Sequence, residues 1–124
     1  MDRLITFKTA ELAKDRKFNV ECFNYYQDSH RAGVKNINSP LTNSLIDELH
    51  EEDKYCIIFY TTPSQSVLAK WLREEHDIDV LINKTLSGLY YYIIWKDGEK
   101  IKRKTCNNYE ICFEEGLQEA LNLI

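Results

Sequence analysis

The chain has 124 residues, 44% of them hydrophobic and 29% charged, and carries a formal net charge of −4. A chain of that length buries roughly two thirds of the surface its unfolded form exposes, so a core without disulfide or metal staples suffices. The acid excess weighs against a general nucleic-acid binder. No apolar run is long enough to span a bilayer and the N-terminus lacks a signal-peptide apolar stretch, so the expectation is one domain over residues 1–124, working in the cytoplasm without a membrane.

Residues 6–16 read as a short helix with Phe7, Ala10, Leu12 and Ala13 on a broad apolar arc. Residues 20–27 are rich in aromatics and read as a strand. Residues 28–39 are polar, contain Gly33 and read as a loop. Ser39 followed by Pro40 looks like an N-cap with proline at the first helical position. Leu41, Leu45 and Leu49 then recur every four residues, which predicts a helix over 40–51. Residues 55–61 form a nearly continuous apolar run, as expected of a central strand covered on both faces.

The clearest helix spans 62–80. Thr62 as N-cap, Pro63 at the first helical position and Gln65 three residues after the cap form a capping box. Val67, Leu68, Trp71 and Leu72 fall on one stripe, with Trp71 expected as a core anchor. A short strand over 79–83 follows. Residues 89–96 and 99–105 flank Asp97-Gly98, the strongest hairpin signal in the chain, and predict a type I′ turn. Counting outwards from that turn sets Trp95 opposite Lys100, Ile94 opposite Ile101 and Tyr92 opposite Arg103. One face then carries Tyr90, Tyr92, Ile94, Ile101 and Arg103, and the other Tyr91, Ile93, Trp95, Lys100, Lys102 and Lys104. A last helix over 108–123 starts at an Asn107/Glu110 capping box. Its apolar stripe is Tyr109, Phe113, Leu117, Ala120, Leu121 and Ile124, and its solvent face is Glu110, Glu114, Glu115, Gln118 and Glu119. Gly116 adjoins the stripe and implies close approach to another backbone. The elements add up to an α+β fold of order α-β-α-β-α-β-β-β-α. Its expected sheet is mainly antiparallel, with four or five strands and helices packed mainly on one face.

The 62–76, 109–124 and 5–14 segments (Thr-Pro-Ser-Gln-Ser-Val-Leu-Ala-Lys-Trp, Glu-Glu-Gly-Leu-Gln-Glu-Ala-Leu and Ile-Thr-Phe-Lys-Thr-Ala-Glu-Leu-Ala-Lys among them) resemble small uncharacterised proteins of phages and mobile elements in Bacteroides-type bacteria. The resemblance covers about a third of the chain as a rough estimate. It implies a small accessory protein in a bacterial host and brings no catalytic residues.

None of Cys22, Cys56, Cys106 and Cys112 forms a C-x-x-C pair, and Cys22 and Cys56 fall in apolar runs that favour buried free thiols. The glycines are too scattered for a phosphate loop. His50 and His76 each stand beside carboxylates, yet both close a predicted helix, where a histidine meets the favourable end of the dipole. No metal, no cofactor and no enzymatic activity are therefore expected. The better candidate is the hairpin face Tyr91, Trp95, Lys100, Lys102 and Lys104, where rings bordered by lysines could stack a ligand and neutralise an anion. Solvated lysines guarding an edge strand would look the same in sequence. The expected function is a non-enzymatic binding or sequestering accessory protein that captures a host protein or a small anionic, nucleotide-like ligand, with counter-defence as one use. Nucleic-acid binding through the 89–105 hairpin is the first alternative and a metal-dependent nuclease or hydrolase the second. Self-association into a homo-oligomer is compatible with all three.

Overall fold

In the computed structural model, residues 3–27, 34–49 and 59–124 are described. The fold is α+β, with four helices and two antiparallel three-stranded sheets where one larger sheet was expected. Contacts group the chain into two compact units, residues 4–63 and residues 64–124 with 1–3.

The first unit begins with α1 (Phe7–Asp15), capped by Thr6, whose Oγ1 accepts from the Thr9 amide. Its sheet has the order β2-β1-β3, built from β1 (Cys22–Gln27), β2 (Val34–Leu41) and β3 (Phe59–Thr61). Two expectations are corrected here. Residues 34–41 are strand, where a loop and a helix start were expected, and Pro40 sits inside it. Because β2 is an edge strand, a residue without an N–H can be extended there at no cost to the ladder. Helix α2 (Asn43–Leu49) starts three residues later than expected, with Thr42 Oγ1 accepting from the Leu45 amide. Likewise β3 is an edge strand and β1 the central one; residues 55–58 of that expected strand lie outside the described residues. The buried Asn43 ties the unit together. Its Nδ2 donates to the Phe18 carbonyl at 2.8 Å and its Oδ1 accepts from the Thr61 amide at 2.9 Å.

The second unit comprises α3 (Gln65–His76), β4 (Ile78–Lys84), β5 (Tyr90–Lys96), β6 (Glu99–Cys106) and α4 (Tyr109–Leu121). Helix α3 is capped by Ser64, two residues later than expected, and ends at Asp77 in the left-handed region (φ 53°). The delay frees Gln65 from a capping role. It is buried, and its Nε2 donates to the Glu110 carbonyl at 3.0 Å and to Glu114 Oε1 at 3.1 Å, fastening α3 to α4. Trp71 is half-buried, its ring 4.7 Å from that of His76, so it is a flank of the helix rather than its core anchor. Leu68 and Leu72 are the core residues.

Helix α4 covers one face of the β4-β5-β6 sheet. Its buried stripe is Cys112, Gly116, Leu117, Ala120 and Leu121. The stripe is rotated from the expected one: Tyr109 is exposed and Phe113 half-buried. Gly116 sets the closeness of the packing. A Cβ placed there would stand 2.8 Å from Val80 Cγ1 and 3.2 Å from Tyr92 Cγ. Gly116→Ala would gain about 1 kcal/mol of helix propensity. Forcing an atom into that contact costs about 1–3 kcal/mol, because neither a valine branch nor the root of a buried tyrosine can swing away. The net expectation is a lower melting temperature, partly restored by adding Val80→Ala. A melting temperature that rises with Gly116→Ala alone would contradict this packing.

Candidate functional site: the open face of the hairpin sheet

The Asp97-Gly98 turn forms as the sequence indicates, with both residues at positive φ (52° and 80°), the geometry of a type I′ turn. Strand register follows the count from the turn for two pairs, Lys96 with Glu99 and Trp95 with Lys100. There the ladder shifts. Ile94 pairs with Lys102, Ile93 with Arg103, Tyr92 with Lys104 and Tyr91 with Thr105, so Ile101 is the extra residue of a β-bulge. One inserted residue exchanges the faces of everything beyond it on that strand.

The consequence for the expected site is direct. Tyr91, Trp95 and Lys100 share the face away from α4. Lys102 and Lys104 stand on the covered face with Tyr92 and Ile94, and Arg103 takes their place on the open one. Lys102 Nζ lies 3.0 Å from Glu119 Oε2, and Lys104 Nζ lies 3.1 Å from Glu115 Oε2. These spacings match. Alternate strand residues are about 6.8 Å apart, and helix residues four apart about 6 Å. Two lysines on β6 therefore meet two glutamates on one side of α4. Glu115 raises the pKa of Lys104 by its hydrogen bond and its charge. Both glutamates, expected to face solvent, are thus the rim that closes α4 onto the sheet.

The open face includes Leu81 on β4, Tyr91, Ile93 and Trp95 on β5, and Lys100 and Arg103 on β6. Leu81 is 46% exposed, whereas the three central-strand residues are half-buried, as rings and branched chains flanked by two strands are even on an uncovered face. The guanidinium carbon of Arg103 lies 4.2 Å from the centre of the Tyr91 ring, a cation–π contact that fixes both groups. Asp79 on β4 is opposite Trp95, so the row Asp79–Trp95–Lys100 runs from acid through ring to base. The face offers an apolar strip with opposite charges on its two borders.

Elsewhere, Cys106 borders an open pocket of about 250 Å³ beside Lys104 and Asn108, and its Sγ donates to Glu115 Oε2 at 3.8 Å. Cys112 is buried beneath it. Burial, with the neighbouring Cys106 and Glu115, pushes the Cys112 thiol up to about 12; burial likewise pushes Cys22 up to about 11, opposed by a hydrogen bond to Thr61. Cys56 and the His50 cluster lie outside the described residues. Among the described residues no three His, Cys, Asp or Glu side chains are grouped to hold a metal ion, and no helix is long and apolar enough to cross a membrane. No family model, no curated protein and no solved structure matches the chain.

Thiol chemistry gives a check on this burial. Only the thiolate reacts, and burial that raises a thiol's pKa lowers the thiolate fraction as well as its access to reagent. In a Cys56→Ser background at mildly alkaline pH, Cys106, on the border of the open pocket, should react with a disulfide reagent before the buried Cys22 and Cys112. Equal rates at all three would contradict the placement of β1 and α4.

Proposed function

We propose that the chain is a non-enzymatic binding protein that captures a protein partner on the open face of the β4-β5-β6 sheet. The observation that supports this most is the strip Leu81, Ile93 and Tyr91, with Trp95 at its end, on the sheet face opposite the one that α4 packs against. Apolar groups grouped on one face and bordered by charge mark interaction surfaces. In line with the family resemblance, the setting is that of a small accessory protein of a phage or mobile element acting in the bacterial cytoplasm, where sequestering a host factor, including one used in defence, would be its use.

Three features favour a protein over a nucleotide-like ligand or nucleic acid. Arg103 already lies over Tyr91, so a base would have to displace it to stack there. Asp79 stands opposite Trp95, where it would repel a phosphate. The centre of the face is aliphatic, which suits side chains better than bases. Lys100 and Arg103 still offer two cations, so an anionic ligand is the second reading.

The test uses the full chain as bait in lysate of its bacterial host, with retained proteins identified by mass spectrometry. Trp95→Ala with Arg103→Glu should weaken capture by at least about 30-fold, as expected for a central aromatic and an arginine. Lys102→Gln with Lys104→Gln should leave capture unchanged and cost little stability, because exposed ion pairs contribute about 0–1 kcal/mol. Capture that survives the first pair, or that disappears with the second, would move the site off this face. Loss of capture in moderate salt would favour a phosphate-bearing ligand, since an apolar protein interface tolerates salt.

A further inference from the structure

The open face is laid out in three cross-strand rows. Asp79, Trp95 and Lys100 form one, Leu81, Ile93 and Arg103 the second, and Asn83, Tyr91 and Thr105 the third. The acid lies on one outer strand and the bases on the other, with apolar groups between. Strands β4 and β6 flank β5, so these borders are about 10 Å apart, twice the strand spacing. We propose that a second copy of the chain covers this face in the free protein, sheet against sheet, about a two-fold axis parallel to the strands. The inference rests on reading this face as the capture surface and adds its regulation: the homodimer is the resting form, and capture proceeds from the monomer.

Charge selects both the occupant and its orientation. A two-fold axis along the strands sets β4 of one copy over β6 of the other. Asp79 of each copy then faces Lys100 and Arg103 of the other, and the contact occurs twice, as in any isologous interface. An axis across the strands would stack β4 on β4 and oppose acid to acid. Packed sheets stand about 10 Å apart, within the joint reach of an aspartate and a lysine or arginine. A foreign surface would need an apolar strip with the opposite borders in register, whereas a second copy has that pattern by symmetry. Ile93 of the two copies meets at the centre, and Leu81 of each, exposed in the single chain, is covered. Three rows make a small patch beside the roughly 800 Å² per partner of a standard interface. The dimer is therefore a weak, exchanging one, which is what a face that must later yield to another partner requires.

Charge exchange tests this. Sedimentation equilibrium of the full chain over a wide concentration range should show a monomer–dimer equilibrium. Asp79→Lys alone, and Lys100→Glu with Arg103→Glu in a second protein, should each weaken self-association by roughly tenfold to a hundredfold, because like charges now face each other. Mixing the two variants should restore the dimer, since every charge contact in the mixed pair is again opposite in sign. A wild-type chain that stays monomeric at all concentrations, variants that dimerise as wild type does, or a mixture that fails to associate would each overturn the proposal. Circular dichroism checks that the variants fold. If either does not, Leu81→Arg takes its place and must dissociate the dimer. The two readings of the face fail separately: a monomer that still captures its partner removes the resting dimer alone, and a dimer that captures nothing removes the capture function alone.

Discussion

The bulge at Ile101 is the constraint on which the second unit depends. Without it Lys102 and Lys104 would project from the open face, and Arg103 would be driven under α4. A guanidinium there, beside the buried Tyr92 and Ile94, would need its own carboxylate and would be costly to leave unpaired. The extra residue puts the two lysines where Glu115 and Glu119 receive them at the rim of the helix. It leaves the delocalised cation where a tyrosine face can hold it. One inserted residue thus sorts four cations onto two faces with different jobs, closing a helix on one side and bordering an apolar strip on the other.

Close approach of α4 depends on a second local feature. Gly116 lets the helix descend onto Val80 and Tyr92, and that descent brings Glu115 and Glu119 within reach of β6. Gln65 secures the same helix from the opposite side through Glu110 and Glu114. The covered face is held by packing at its middle and by charge at its edge. Helix α4 packs on that side, and the apolar strip with its charged borders lies on the other.

Elements whose determinants are local were legible in the sequence. The Asp97-Gly98 turn, the helices over Gln65–His76 and Tyr109–Leu121, the close approach at Gly116 and the buried thiol of Cys22 all follow from neighbouring residues. What depends on pairing was not. Pro40 reads as a helix start because a proline after serine is the usual cap signal, and only its edge position in β2 explains why it is strand. The sequence pattern sets the stripe of α4 one step round, because Tyr109 and Phe113 are large and Gly116 and Cys112 small, although the small residues are the ones against the sheet. The candidate site was legible in part. Tyr91, Trp95 and Lys100 share a face as the turn implies, while Arg103 was missed because parity counting has no place for a bulge.

Backbone pairing in the hairpin is therefore the central claim, and nuclear Overhauser effects between β5 and β6 in the isotope-labelled full chain test it most directly. The shifted ladder predicts cross-strand contacts joining Ile93 to Arg103 and Tyr91 to Thr105, with Ile101 lacking a partner of its own. Contacts joining Ile94 to Ile101 and Tyr92 to Arg103 would show an unbroken ladder from the turn. They would return Lys102 and Lys104 to the open face and contradict the account.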